Sequence, residues 1–164
     1  MEKLIENGYD LEEALDWAVE LERAGSSALH VSGGTTESLL GSAHVIPPMV
    51  FPEAYHVLLA AAIKKKVRIP VIAVGRLNTP EAAESVICEG QADLVAAGRA
   101  FLCDPHWPLK AAQGEKDRIR PCVACNHCVW RLFQQEALSC FQNALLGNEE
   151  KYHIDPAEKA RKVV

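Results

Sequence analysis

The chain has 164 residues, of which 49% are hydrophobic and 24% are charged, and its formal net charge at pH 7 is -5. This composition is ordinary for a globular protein with a core of its own, and the acidic balance argues against nucleic acid as a partner. Because no apolar run reaches the roughly 20 residues of a membrane span and the acidic N-terminus does not resemble a signal peptide, we expect a cytoplasmic protein with no membrane partner.

The first predicted elements are a helix and a short strand. Apolar residues recur at helical spacing from Asp10 to Gly25, which predicts a helix there. Asp10 is placed to cap its start together with Glu13, and Gly25 is placed to end it. A strand is predicted over 28–32, followed by a long loop over 35–49.

The next part of the chain repeats the pattern of helix and strand. Thr79 and Pro80 are typical of the cap and the first position of a helix. The two later strands are unbroken apolar runs, which is typical of strands buried on both faces in a parallel sheet. This alternation predicts an α/β fold with right-handed crossovers. The predicted elements are a helix over 52–66, a strand over 70–75, a helix over 79–90, a strand over 93–98 and a short helix over 105–113.

A Gly-Arg pair ends each of the two apolar strands, as Gly75-Arg76 and as Gly98-Arg99. In β/α barrels the loops after the last two strands commonly form a phosphate site. Glycine lets backbone amides approach the phosphate, and arginine adds paired charged donors. The alternative is structural: the glycines relieve crowding and the arginines bind surface carboxylates.

Four of the six cysteines lie close together in the sequence, at Cys122, Cys125, Cys128 and Cys140. The spacing of the first three, C-x2-C-x2-C, suits an iron–sulfur cubane held by thiolates. A tetrahedral zinc site more often takes its ligands from two separated pairs. Zinc, free thiols and disulfides remain as alternatives, although the absence of an export signal favours metal over disulfides. Trp130 and Phe133 are candidates to shield such a centre from water, with a role as ordinary packing aromatics as the alternative.

The other cysteines and histidines carry weaker predictions. Cys88 and Cys103 are predicted to be core or loop thiols, since free cysteine usually behaves as a small hydrophobe. His127, between two of the clustered cysteines, could tune a cluster by hydrogen bonding, with an exposed loop role as the alternative. A phosphate-binding isomerase or aldolase would need a lysine or carboxylate at a strand end, and none follows the predicted strands.

Several segments together resemble the NADH:flavin oxidoreductase (old yellow enzyme) family, and most of all its iron–sulfur branch of 2,4-dienoyl-CoA reductases, enoate reductases and trimethylamine dehydrogenases. The resemblance extends over almost the whole chain. The segments that carry it are His-Val-Ser-Gly-Gly-Thr-Thr-Glu-Ser at 30–38, Ile-Pro-Pro-Met at 46–49, Pro-Val-Ile-Ala-Val-Gly-Arg at 70–76, Asp-Leu-Val-Ala-Ala-Gly-Arg at 93–99 and Arg-Pro-Cys-Val-Ala-Cys-Asn at 120–126.

The resemblance implies part of a TIM (β/α)8 barrel, with about three β/α units, followed by a cysteine-rich iron–sulfur segment. It implies an FMN- and 4Fe–4S-dependent oxidoreductase that takes electrons from NAD(P)H and acts on a small enoate, enoyl-type or amine substrate. The residues that match the family's FMN contacts are Arg76, Gly98 and Arg99, and Gly75 completes the predicted phosphate site. The matching cluster ligands are Cys122, Cys125, Cys128 and Cys140.

Two departures from the family qualify the resemblance. The dienoyl-CoA reductases have a histidine near the position of Thr36, and its absence argues against a simple transfer of that activity. His44, later in the same loop, could fill a similar volume, although a loop histidine is more often solvated. No residue is therefore predicted as the catalytic acid or base.

The second departure is length, because a complete TIM barrel needs roughly 250 residues. We expect a partial barrel over 1–115, a cluster-binding segment over 116–150 and a charged tail over 151–164. An open strand edge is an aggregation hazard, so we expect self-association or a partner that supplies the missing half-barrel. The alternative function is a non-catalytic iron–sulfur or zinc-binding fragment for electron transfer or assembly.

Overall fold

The computed structural model describes residues 4–6, 8–154 and 159, so the predicted charged tail lies largely outside the described residues. The elements in chain order are α1 (Leu11–Arg23), β1 (Leu29–Val31), α2 (Leu39–Val45), α3 (Val57–Lys64), β2 (Val71–Ala73), α4 (Pro80–Cys88), β3 (Leu94–Val95), α5 (Gly98–Cys103), α6 (Trp107–Ala112), a short 3-10 helix (Lys116–Arg118) and α7 (His127–Phe133). None of the helices in the described part of the chain has both the length and the apolar character needed to cross a membrane.

The three strands form one parallel sheet in the order β1-β2-β3, which confirms the predicted parallel α/β arrangement. Leu29 pairs with Val71 at the start of the β1–β2 register, and Ile72 pairs with Leu94 in the β2–β3 register. β2 is the central strand, and the side chains of Val71 and Ala73 are fully buried. Its apolar sequence therefore matches burial on both faces of the sheet.

The predicted helix starts at 10 and 79 are confirmed by their capping contacts. The Asp10 carboxylate accepts a hydrogen bond from the Glu13 amide, and the Glu13 carboxylate accepts one from the Asp10 amide, both at 3.1 Å. The Thr79 hydroxyl accepts from the Ala82 amide at 3.3 Å, with Pro80 in the first turn. These bonds satisfy amides that have no partner within a helix.

The main core lies between the sheet and the helices α1, α3 and α4. It is built from small and branched side chains, and Ala60 of α3 packs with Val71 and Ala73 of β2. A second, smaller cluster joins Ala83 of α4 to Trp107 of α6. The indole of Trp107 donates a hydrogen bond to the backbone carbonyl of Asn78 at 2.9 Å, which fixes α6 beside the end of β2.

Two predictions about the chain between β1 and β2 are wrong. The expected loop over 35–49 contains α2, whose start is capped by the Ser38 hydroxyl as it accepts from the Gly41 amide at 2.9 Å. The expected helix over 52–66 begins only at Val57, because Ala54 has a φ of 54° and cannot continue a right-handed helix. The apolar periodicity indicated a helix in this region but not its first residue.

The predicted third strand over 93–98 is also too long. β3 holds only Leu94 and Val95, and Leu94 is 50% exposed, so this strand is not buried on both faces in the described part of the chain. The Ala96 amide still donates to the Ala73 carbonyl at 2.8 Å, after which the chain turns into α5. Gly98 and Arg99 therefore open a helix that two residues, Ala96 and Ala97, separate from the strand.

Candidate functional site

The Gly75-Arg76 pair forms a turn in the left-handed region, with φ values of 108° for Gly75 and 55° for Arg76. The segment before α3 holds this turn by two backbone hydrogen bonds, from the Tyr55 amide to the Gly75 carbonyl at 3.0 Å and from the Ala54 amide to the Arg76 carbonyl at 3.3 Å. A non-glycine residue in this region costs on the order of 1–3 kcal/mol, and such outliers concentrate at functional sites.

His56 fills the space between the loops that follow β1 and β2. Its side chain is buried, and a Cβ built on Gly75 would lie 2.7 Å from its Nδ1, while one built on Gly33 would lie 3.3 Å from its Nε2. Neither ring nitrogen has a hydrogen-bond partner among the described residues. Burial lowers the pKa of His56, with the positive charge of His44 acting in the same direction and the backbone of His44 acting in the opposite one.

The Arg76 side chain retains unused hydrogen-bond donors. Its Nη1 donates to the backbone carbonyl of Met49 at 3.3 Å. Its Nε is buried and has no hydrogen-bond partner among the described residues. Because a guanidinium has five N–H donors and a fixed positive charge, this arrangement leaves a site that can take an anion.

Arg99 lies in α5 and reaches toward the cysteine-rich segment, where its Nη1 donates to Oδ1 of Asn126. Burial lowers the pKa of Arg99 and the charge of Arg76 lowers it too, whereas the thiols of Cys122 and Cys128 raise it. Arg76 thus acts electrostatically on Arg99, and the two predicted arginines follow the carboxyl ends of the neighbouring strands β2 and β3. No described atom lies within 4 Å of a Cβ built on Gly98, so the space beside the start of α5 is open.

The four predicted cysteine ligands line one small cavity together with Arg99. Cys122, Cys128 and Cys140 are half-buried, and Cys125 is exposed. Burial raises the pKa of Cys128, as do the neighbouring thiols of Cys122 and Cys140. In the described ranges no three His, Cys, Asp or Glu side chains lie close enough together to enclose a single metal ion.

The backbone of the cysteine segment turns twice between its first three cysteines. Ala124 and Asn126 have φ values of 52° and 58°, so two left-handed residues bend the chain around the cavity. Helix α7 starts at His127 and places Cys128 in its first turn. Asn126 tolerates this conformation better than most residues, because its short polar side chain can bond locally.

Three asparagine side chains join the cysteine segment to the α/β unit. Each donates a hydrogen bond from Nδ2 to a backbone carbonyl across the boundary between these two parts, which we call the seam. The sequence analysis identified none of the three, because an asparagine that forms a hydrogen bond between distant parts of the chain follows no recognisable spacing in the sequence. The pairs are Asn78 with Cys122 at 3.2 Å, Asn126 with Ile46 at 2.9 Å and Asn143 with Leu102 at 2.9 Å.

A fifth thiol lies next to the predicted cluster ligands. Cys103, at the end of α5, is fully buried, and burial together with the adjacent thiols of Cys140 and Cys122 raises its pKa to about 12. It is thus a core thiol as predicted, but its contact with Cys140 was not anticipated. Cys88 is exposed on α4 and bonds to Glu84 at 3.2 Å, so it is neither a core nor a loop thiol.

The aromatic residues around the cysteine segment differ in their exposure. His127 is half-buried: its ring stacks on Phe141 with centroids 4.3 Å apart, and its Nε2 lies 2.9 Å from the Ser139 hydroxyl. Trp130 and Phe133 are mostly exposed and cover little of the cavity in the described structure.

His44, which was expected in a loop, lies in the last turn of α2 and is half-buried rather than solvated. Its Nδ1 lies 2.6 Å from the Tyr55 hydroxyl, and its ring packs edge-on against Phe51. These contacts place it in an aromatic group beside His56. These contacts fix the orientation of the His44 ring.

A family model described as NADH:flavin oxidoreductase / NADH oxidase matches residues 13–118. Over 166 residues the chain is 43% identical to the NADH oxidase of Thermoanaerobacter brockii, which covers 99% of this chain and 25% of that protein. It is 34% identical over 164 residues to the cinnamate reductase of Clostridium sporogenes, covering 99% of this chain and 24% of that protein. The chain thus spans about a quarter of the length of these relatives.

Solved structures show the same architecture. A 2-naphthoyl-CoA reductase in complex with 2-naphthoyl-CoA superposes with a TM-score of 0.85 at 29% identity, over 96% of this chain and 24% of that one. A histamine dehydrogenase from Rhizobium superposes with a TM-score of 0.79 at 23% identity, over 90% and 21% of the two chains, which speaks for the fold alone. These likenesses confirm the predicted fold class, part of a barrel of parallel strands and helices.

Proposed function

Because the chain belongs to the NADH:flavin oxidoreductase / NADH oxidase family, we propose that it provides the phosphate end of an FMN site and the ligands of a 4Fe–4S cluster in a flavin-dependent oxidoreductase. One observation carries the proposal: Arg99 lines the cavity of the four cysteines, and the charge of Arg76 lowers the pKa of Arg99. This supports two proposed sites that share Arg99.

The residues at the strand ends fit a flavin phosphate. The unpartnered Nε of Arg76 can donate to a phosphate oxygen, and Arg99 adds a second guanidinium whose pKa the charge of Arg76 lowers. A bound anion would offset this repulsion between the two positive charges. The open space at Gly98 leaves room for such an anion to approach the backbone. Gly75 contributes differently. Its lack of a side chain lets the turn pack against His56, so it positions Arg76 rather than contacting the phosphate itself.

The cysteine cavity fits an inorganic cluster that is larger than one ion. Each thiolate of a cubane binds a different iron, so the sulfurs spread over the surface of the cluster. A single zinc ion needs all its sulfurs about 2.3 Å from one point. Arg99 would offset part of the negative charge that four thiolates bring, and Phe141 and Leu102 supply apolar walls.

When bound, FMN supplies hydride transfer and the cluster supplies single-electron transfer. The chain's own residues hold the flavin phosphate through Arg76 and Arg99 and hold the cluster through Cys122, Cys125, Cys128 and Cys140. The electron donor we propose is NAD(P)H, and the substrate is a small enoate, enoyl-type or amine compound. By their names, the cinnamate reductase acts on an enoate and the 2-naphthoyl-CoA reductase acts on an aromatic acyl-CoA thioester.

A partner for the sheet is part of the same proposal. β1 and β3 each pair with β2 on one side only in the described structure. Unpaired strand edges bind other strands readily. We therefore propose that a second copy or another chain covers these edges in the active enzyme, in the cytoplasm.

Anaerobic reconstitution with iron, sulfide and FMN tests the proposal. The expected product contains about four iron atoms and four acid-labile sulfides per chain, absorbs broadly in the visible range and quenches the fluorescence of added FMN. Zinc uptake without iron or sulfide would favour the zinc-binding alternative. A protein that takes up neither FMN nor iron would contradict the proposal.

A further inference from the structure

Asn126 touches both halves of the proposed site. Its Oδ1 accepts a hydrogen bond from Nη1 of Arg99, and its Nδ2 donates to the carbonyl of Ile46 at 2.9 Å. It lies in sequence between Cys125 and Cys128. A single amide thus connects the cysteine cavity with a guanidinium of the flavin-phosphate cradle and with the loop after α2.

The backbone of Asn126 is equally constrained. Its φ of 58° is left-handed, and its carbonyl accepts the Trp130 amide at 2.9 Å, the first hydrogen bond of α7. The helix that it starts carries Cys128. Any movement of Cys125 or Cys128 would therefore turn the plane of the Asn126 amide and break its alignment with Arg99.

We infer that Asn126 is a positioning residue that couples the occupancy of the two cofactor sites. Ligation of a cluster by Cys125 and Cys128 fixes the backbone on both sides of Asn126, and the fixed amide holds Arg99 in the orientation that receives the flavin phosphate. The inference rests on the proposed function. Thermodynamic linkage requires that the coupling be reciprocal, so bound FMN retains the cluster by the same factor.

The test measures the dissociation constant of FMN by fluorescence quenching under anaerobic conditions, with the cluster assembled and after its removal by an iron chelator. In the wild-type chain we expect removal of the cluster to weaken FMN binding about tenfold, within the usual range of coupling between sites. In Asn126→Gly the ratio of the two FMN dissociation constants, measured without and with the cluster, should fall to about one. Glycine accepts the φ of 58° without strain, so this variant removes the amide and keeps the backbone.

Two further variants separate the amide from its surroundings. Asn126→Asp keeps an acceptor for Arg99 but loses the N–H that bonds to the carbonyl of Ile46, so a ratio between one and the wild-type value is expected. Asn148→Ala is the matched control, because the Asn148 side chain makes no hydrogen bond among the described residues and should leave the ratio unchanged. A companion measurement is the rate of iron loss to the chelator, which FMN should slow in the wild type and not in Asn126→Gly.

The outcomes distinguish the inference from the function beneath it. A wild-type chain that binds no FMN or assembles no cluster would overturn the proposed function. A wild-type chain that binds both with a ratio of one, or an Asn126→Gly variant that keeps the tenfold ratio, would overturn only the coupling. If Asn126→Gly took up no iron, Asn126 would be needed for ligation itself, and the inference would also fail.

Discussion

The ring of His56 and the backbone of Gly75 occupy adjoining space with no room for a side chain between them. A Cβ at position 75 would lie 2.7 Å from Nδ1 of the histidine, closer than real Cβ atoms approach. Because Arg76 is the next residue, this contact fixes the backbone position from which the Arg76 side chain extends. Its guanidinium is one of the two that we propose bind the phosphate. The shape of the cradle thus depends on a histidine outside it.

Gly75→Ala should destabilise the protein by about 3 kcal/mol, because it adds a clash to the cost of a left-handed non-glycine residue. Gly90→Ala is the matched control: Gly90 has a φ of 67°, and no described atom lies within 4 Å of a Cβ placed on it. It should cost only about 1 kcal/mol. Urea unfolding of both variants measures the difference, and equal losses would show that His56 yields easily.

His56 should make stability fall with acidity. Its pKa is lowered in the folded chain from an ordinary value of 6.5, so below that pH the unfolded chain binds a proton that the folded chain resists. Stability is therefore lost as the pH falls through 6.5, by at most about 1.4 kcal/mol for each pH unit. The urea midpoint of His56→Gln should vary less between pH 7.5 and 5.5 than that of the wild type. Parallel curves for the two proteins would contradict this assignment.

Replacing either cradle arginine with lysine should weaken FMN binding by about 10- to 100-fold, since lysine cannot reproduce the paired donors of a guanidinium on phosphate. The variants are Arg76→Lys and Arg99→Lys. Arg68→Lys serves as the control, because Arg68 is exposed and lies before β2, at the opposite end of that strand. Fluorescence titration with FMN measures the affinities. Unchanged affinity in both cradle variants would place the phosphate elsewhere.

Serine at any of the four proposed ligand positions should lower the iron content of reconstituted protein, because an alkoxide replaces a thiolate poorly for iron in such clusters. The four variants are Cys122→Ser, Cys125→Ser, Cys128→Ser and Cys140→Ser. Cys88→Ser, on the exposed face of α4, is the control and should keep full iron. Iron loss in Cys103→Ser equal to that in Cys140→Ser would instead make the buried thiol a ligand.

Asp104 should stabilise the fold only above acid pH. It is fully buried and bonds to Lys110 at 2.6 Å and to the Arg120 amide at 3.0 Å. Burial raises its pKa, but these bonds outweigh burial and hold the pKa below the ordinary 3.8. Asp104→Asn should therefore cost about 3 kcal/mol at pH 7. The contribution is complete above 3.8 and disappears as the pH falls below it, so unfolding curves of the two proteins should converge there.

The sequence was most informative where local chemistry decides the structure. The capping box at Asp10 and the apolar run of β2 depend on neighbours in sequence, and both are as predicted. The third strand was misjudged because its apolar run continues into α5, where Ala100 is buried by Trp107 rather than by the sheet. An apolar run reports burial but does not report which element buries it.

The sequence supplied candidate residues for the site but not the contacts between them. The four cysteines chosen from their spacing line one cavity together with Arg99, while their role as cluster ligands and the role of the Gly-Arg pairs at a phosphate stay predictions. Three contacts of the site join residues that are distant in sequence. They are the packing of His56 against Gly75, the hydrogen bonds of Asn126 to Arg99 and Ile46, and the contact of Cys103 with Cys140. Such contacts arise from tertiary packing and leave no periodic pattern to read.

The seam made by Asn78, Asn126 and Asn143 has a consequence for how related sequences can diverge. Each asparagine amide donates its hydrogen bond to a backbone carbonyl oxygen, and every residue has a backbone carbonyl whatever its side chain. Positions such as Ile46 and Leu102 are thus free to vary without loosening the join. The alignment of the cysteine segment with the α/β unit therefore depends on the three asparagine donors. Aspartate could not replace them because it has no N–H donor, and glutamine is longer by one methylene.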